Sequence, residues 1–390
     1  MLSGLAAMSI DLSLASIPTM VVDFATGLST GQQIVAVLML GFSLGQIPMG
    51  LLSDRFGRLP VLFGGLGLFL AAGIVCAAAS SIEMMLGARL VQGVGAAAGV
   101  VVPRAIVRDV ASGAEAGRLM SVIVMIFTVI PMFAPILGAF LVASSGWRAP
   151  FVAIVVVGAL LAVAARMKVP ETHAPVREHH FMRQLRDSVV EFFGHRQCRF
   201  GAMLVMFVGA GFLAMIAASS TLVIQVYGFS VESFGFIFAL TGVSILCGSG
   251  LNRVLLKRFD PLAMAGVGAS LIGIAAVQML VIAWLGEVAF SWIWGCMCLY
   301  MFGNGILLPN ATVLSIDPVP RIAGFAASII GTLQTFCGAA GGFLSGLLYD
   351  GTSRNVAVIM GVCGSLTLLV YLLRSLIMGP ITGQPRISSE

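Results

Sequence analysis

The chain has 390 residues, of which 59% are hydrophobic and only 9% charged, against roughly a quarter charged in a soluble domain. That balance excludes a water-soluble globular protein and places the chain in a lipid bilayer. The formal net charge of +5 then reflects topology, and it is no sign of a nucleic-acid partner.

Apolar stretches separated by short polar turns predict twelve transmembrane helices, at 1–22, 31–52, 60–80, 84–107, 118–142, 149–167, 200–226, 232–252, 261–285, 288–316, 322–348 and 355–377. Each is long enough to cross about 30 Å of hydrocarbon. A barrel would alternate polar and apolar residues, so the expected fold is all-α. A basic segment at 168–199 divides the chain into a six-helix bundle at 1–167, a linker, a second six-helix bundle at 200–377 and a tail at 378–390. "GLLSDRFGRLP" after the second span and "GLNRVLLKRFDP" after the eighth form a degenerate repeat, as in transporters built from parallel halves. The turns on one face hold only Arg148 and Arg354. Arg89 lies within the fourth span, and the other 18 of 21 basic residues fall on the opposite face, which is therefore read as cytoplasmic with both termini.

The first span carries Asp11 inside "LAAMSIDLSLASIP", Leu5 to Pro18. A carboxylate at mid-membrane costs roughly 2.5 to 3.5 kcal/mol on insertion scales, so a function is expected of it. The stretch lacks a small-residue cleavage site and reads as a retained helix, not a signal peptide. Met1 stands only about 15 Å of helix from Asp11, so a short preceding cytoplasmic segment is expected. In the fourth span Arg89, Gln92 and Ala96 share a face, while Gly93, Gly95 and Gly99 allow close packing. Asp11 has three possible roles: a permanent ion partner of Arg89, a proton carrier, or a counter-ion for a cationic substrate. Burial and a nearby guanidinium act on such a carboxyl in opposite senses, and a shift in that balance is what a proton switch needs.

Within the linker, "FMRQLRDSVVEFFGHRQCRF" sets Phe181, Leu185, Val189 and Phe192 on one helical face, predicting an amphipathic helix on the inner membrane surface. The linker histidines and Cys198 match no compact metal-ligand spacing. The second half offers Gln225, Gln278, Asn304, Asn310 and Gln334 with aromatics such as Phe207, Phe212 and Phe238, which suggests an adaptable apolar wall; Trp292 and Trp294 are expected at the outer interface. Six of the seven cysteines lie in spans and imply no disulfide. No phosphate loop or exposed nucleophile set is present, so neither an enzyme nor ATP-driven transport is expected.

"GLLSDRFGR" resembles the loop-two signature of the major facilitator superfamily at Gly50, Leu52, Asp54, Arg55, Gly57 and Arg58. "LGARLVQGVGAAAG" resembles the Arg-containing motif of its proton-coupled members. "PMFAPILGAF", with Pro131, Pro135 and Gly138, is similar to the antiporter motif but departs from it at Ala134 and Ala139. "VPRAIVRDVASGAEAGRLMS", "SSGWRAPF" and "VPETH" look like the bicyclomycin, chloramphenicol and florfenicol exporter subfamily of drug:proton antiporters. The resemblance implies proton-coupled multidrug efflux by alternating access across a bacterial inner membrane. Asp11 and Arg89 would serve proton coupling. Asp11, Gln92, Phe207, Phe212, Phe238 and Asn304 would line the substrate cavity, and Gly50 to Arg58 would form a latch made in one rocking state. A dedicated metabolite or metallophore exporter and a proton symporter for uptake stay open as alternatives. The expected partners are a small-molecule substrate, protons and the bilayer; the chain is expected to be a monomer with no cofactor, metal or nucleic acid.

Overall fold

A computed structural model describes residues 2–111, 113–172, 181–286 and 288–378. His173, His179 and His180 of the linker and the tail from 379 lie outside the described residues. The helices are α1 (Gly4–Asp11), α2 (Ile17–Asp23), α3 (Leu28–Phe56), α4 (Arg58–Ala77), α5 (Ile82–Val110), α6 (Gly113–Ser145), α7 (Ala149–Lys168), α8 (Phe181–Gly194), α9 (Arg196–Ser220), α10 (Val231–Leu255), α11 (Pro261–Leu285), α12 (Phe290–Ile316), α13 (Ala323–Leu347), α14 (Arg354–Leu372) and α15 (Arg374–Met378). Eleven segments among the described residues are long and apolar enough to cross a membrane. The remaining expected span falls in α6, whose Val129–Ser145 part is apolar.

The first span is not the continuous helix its hydropathy predicts. α1 stops at Asp11, a 3-10 turn covers Leu14–Ser16, and α2 resumes at Ile17. Two residues account for the break. Pro18 has no amide to return to the Leu14 carbonyl. The Ser13 hydroxyl donates to the carbonyls of Ser9 and Ile10 at 2.9 and 3.0 Å, competing with the helical ladder.

In the first half α5 packs against α3 and α4; in the second, α11 packs with α12 and α14, and α9 with α13. Two seams join the halves, α3 on α13 and α6 on α10. Along the first seam Gln46 Nε2 donates to Thr335 Oγ1 at 2.9 Å. Nearer the Gly146 end, Ser345 Oγ donates to Gln32 Oε1 at 3.1 Å. These bonds stand in for the hydrophobic driving force that lipid-embedded helices lack.

Helix α8 forms where the linker pattern places it, and it docks on the protein. Phe192 is buried and Glu191 pairs with Arg321 at 3.0 Å, in the turn before α13. Trp294 faces the protein interior. It is only 4% exposed and stacks on Phe290, whereas Trp292 is exposed and donates to Gln278 Oε1 at 3.2 Å. Two residues along a helix turn a side chain by about 200° while advancing it only about 3 Å, so the two indoles stand at nearly one level on opposite faces of α12.

Candidate functional site

A cavity of about 430 Å³ lies between the halves. The first half contributes Asp11 from α1, Met39, Phe42 and Gln46 from α3, Val100 and Arg104 from α5, and Pro131 from α6. The second contributes Phe212 and Ile216 from α9, Phe238 and Thr241 from α10, Asn304 from α12, and Gln334 and Thr335 from α13. Met39, Phe42 and Gln46 follow the i, i+3, i+7 spacing of one helical face.

Asp11 is 4% exposed and turned to this cavity, while Arg89 is 1% exposed and stands outside it. The Arg89 guanidinium donates to the Ser9 carbonyl (3.2 Å), Ser9 Oγ (3.0 Å), Gln92 Oε1 (3.0 Å) and Ser13 Oγ, and lies 4.6 Å from the centre of the Phe151 ring. Neutral oxygens and an aromatic face thus take up a buried cation. Ser9 and Ser13 are one turn apart and share a face, whereas Asp11, two residues from each, points the opposite way. No ion pair joins Asp11 to Arg89 in this conformation.

Of the expected cavity residues, Asp11, Phe212, Phe238 and Asn304 line it; Gln92 and Phe207 do not. Gln92 is fully buried behind α1, bonded to Arg89, because it shares the Arg89 face and that face turns into the first half. Phe207 lies two residues before Gly209 on α9, on a different face from the Gly209, Phe212, Ile216 stripe that the cavity uses. Arg104, counted with the basic residues of the cytoplasmic face although it falls inside the predicted span 84–107, is on the cavity wall of α5, which runs on to Val110 past Pro103. The apolar Ala105, Ile106 and Val107 after it were the available signal.

The Gly50 to Arg58 motif forms a charged knot at the end of α3. Arg58 is buried and pairs with Asp54 one turn before it. Its Nε donates to Asp109 Oδ2 at 2.7 Å and its Nη1 to Ser53 Oγ at 3.0 Å. Glu171 caps α4, accepting from the amides of Arg58 and Leu59 at 2.9 Å each. Gly57 makes the turn at φ 97°, a backbone that other residues rarely adopt. Arg55 stands at the rim over Phe56. These partners of Asp54 and Arg58 belong to the first half, except Glu171, which lies at the start of the linker. Asp109 and Glu171 were not picked out in the sequence, because they lie 51 and 113 residues from Arg58.

The α6 motif works at two contacts. A methyl on Gly138 would collide with the Leu12 carbonyl, next to Asp11, and Pro135 and Ile136 receive Gly235 of α10 across the second seam. Pro131, one turn earlier, faces the cavity. Among the described residues no three His, Cys, Asp or Glu side chains gather closely enough to hold a metal ion.

The family description "Major Facilitator Superfamily" matches residues 1–342. The chain belongs to the major facilitator superfamily. This superfamily member is accordingly a multi-pass membrane transporter of small molecules and not an enzyme. It is 26% identical to the bicyclomycin resistance protein homolog of Haemophilus influenzae, over 95% of this chain and 93% of that protein. It is 29% identical to multidrug resistance protein D of Escherichia coli, over 87% and 85%, and 28% identical to the chloramphenicol resistance protein of Pseudomonas aeruginosa, over 90% and 83%. The crystal structure of the D-xylose-proton symporter superposes with a TM-score of 0.75 at 18% identity, covering 95% of this chain and 94% of that one. That likeness establishes the fold.

Proposed function

We propose that this transporter exports amphipathic organic compounds in exchange for protons across a bacterial inner membrane, as a monomer with both termini in the cytoplasm. The observation that carries the reading is Asp11. It is the one carboxyl group on the cavity wall among the described residues, and it is not held by Arg89. A substrate entering the cavity displaces the Asp11 proton to the cytoplasm; after the halves rock, Asp11 takes a proton from outside as the substrate leaves. The names of the relatives, which speak of resistance to bicyclomycin, to chloramphenicol and to several drugs, support export over uptake. So does the shape. The halves are bonded near the Gly146 end through Gln32 and Ser345, while the cavity runs toward Arg104 near the opposite end of α5. By the distribution of basic residues that opposite end is the cytoplasmic one.

Adding candidate compounds to the purified protein in weakly buffered solution tests this directly. Exchange predicts proton release on binding, and Asp11→Asn abolishes it. Proton uptake on binding would instead mark a symporter.

A further inference from the structure

At the end of the molecule away from the cavity mouth, the two halves close on each other through the broken first span. The 3-10 turn Leu14–Ser16 packs against α9 and α10 of the second half, and α2 packs against a π-helical turn, Thr221–Val226, that follows α9. Both spans leave the regular helical ladder where the halves meet. Ser220 stands one turn beyond the cavity residue Ile216, and Ser16 lies five residues beyond Asp11. Ser16, Ser220 and Thr221 are completely buried, and none of the three hydroxyls has a hydrogen-bond partner among the described residues. Their chain neighbours Leu14, Ile17, Leu222 and Val223 are apolar and buried with them. Gln32, in the same closure, accepts from Ser345 at its oxygen while its amide nitrogen is buried and unpaired. Ser219 shows that the helix does not force this: beside Ser220 and equally buried, it donates to the Ile216 carbonyl at 2.7 Å.

A buried hydroxyl without a partner forgoes the hydrogen bonds it makes to water, and the whole loss falls on the state that buries it. When the halves rock apart at this end, water reaches the three hydroxyls and the loss is recovered. The closed contact is therefore weakened relative to the open one. Two states must lie close in free energy to exchange, and a contact too well made would hold the protein in one of them. We propose that Ser16, Ser220 and Thr221 are positioning residues of the outer gate, and that, left unpaired in the closed contact, they bias it toward opening to the outside. The inference rests on the reading of the chain as an alternating-access exporter.

Ser16→Ala, Ser220→Ala, Thr221→Val and the triple variant are compared with the wild-type protein in lipid nanodiscs. Spin labels in the exposed Ser80 turn of the first half and the exposed Asp350 turn of the second measure the outer opening, at a pH where the wild type populates both forms. Each hydroxyl removed is expected to raise the ratio of closed to open protein about tenfold, and the unfolding temperature rises instead of falling. Ser219→Ala, which removes a bonded hydroxyl from the same level of α9, is expected not to raise that ratio. The contrast separates an unpaired hydroxyl from the mere loss of an oxygen in a packed contact. In vesicles the triple variant is expected to export more slowly, with proton release on substrate binding intact. A triple variant that matches the wild type in distances and rate, or opens more, or a Ser219→Ala that closes as far as Ser220→Ala, would overturn the proposal and leave proton exchange standing. Wild-type distances that change with neither substrate nor pH would sink the alternating-access reading and this inference with it.

Discussion

Arg89 and Asp11 stand on opposite sides of the first helix. The guanidinium grips Ser9 and Ser13 from within the first half, and the carboxyl faces the cavity from the other side. Arg89 therefore fixes the rotation of α1 at the place where it breaks, and with it the direction in which Asp11 points. No direct bond joins the two side chains in this conformation.

Ser13 tests that clamp. Its hydroxyl accepts from Arg89 and donates to the Ser9 and Ile10 carbonyls. Ser13→Ala is expected to lower stability by about 1–3 kcal/mol through the groups left unpaired. Ser144→Ala, at an exposed end of α6, should stay within about 0.5 kcal/mol. Thermal unfolding in detergent compares the two.

Gly138 sets how closely α6 approaches the Leu12 carbonyl. Gly138→Ala is expected to push α1 away, at about 1–3 kcal/mol of overpacking, and to reduce substrate binding because Asp11 adjoins that contact. Gly64→Ala meets open space on α4 and should leave binding intact. Binding affinity and unfolding temperature of the two variants decide it.

Asp54 and Arg58 are bonded within the first half here, so a latch across the halves would belong to another conformation. On that proposal Asp54→Asn leaves folding largely intact, because Arg58 keeps Asp109 and Ser53. It shifts the population of open states all the same. Distances between spin labels on the two halves measure this. Unchanged distributions with unchanged transport would leave Asp54 as a brace for the turn.

The helices were legible in the sequence because in lipid every backbone group must be satisfied locally, which makes hydropathy a strong guide. The first span shows where that guide stops. A bilayer-length apolar run cannot report that Ser13 and Pro18 redirect the ladder between them. Asp11 and Arg89 stood out as charges in apolar surroundings, yet their relation depended on α1 rotation, which only packing against α5, α6 and α7 determines. Gln92 was placed on the Arg89 face correctly, and that face turned out to be internal. Arg104 lay inside the predicted fourth span yet was counted with the cytoplasmic basic residues, since nearness to the end of a span does not tell which way the helix turns a side chain. Glu171 and Asp109 could not be linked to Arg58 without the fold.

The central claim is that Asp11 carries the coupled proton, and flux in sealed vesicles tests it most directly. With one proton exchanged per neutral substrate, a driving force of ~150 mV supplies ~3.5 kcal/mol and sustains a concentration ratio of roughly 300-fold. A monocation exchanged for one proton moves no net charge, so it responds to the pH gradient alone. Vesicles are loaded with pH difference and voltage imposed separately, and the transported compound is followed on both sides. Asp11→Asn is expected to abolish accumulation under either force while preserving downhill movement. If Asp11→Asn vesicles still concentrate a neutral substrate against its gradient under an imposed pH difference, Asp11 is not the proton carrier.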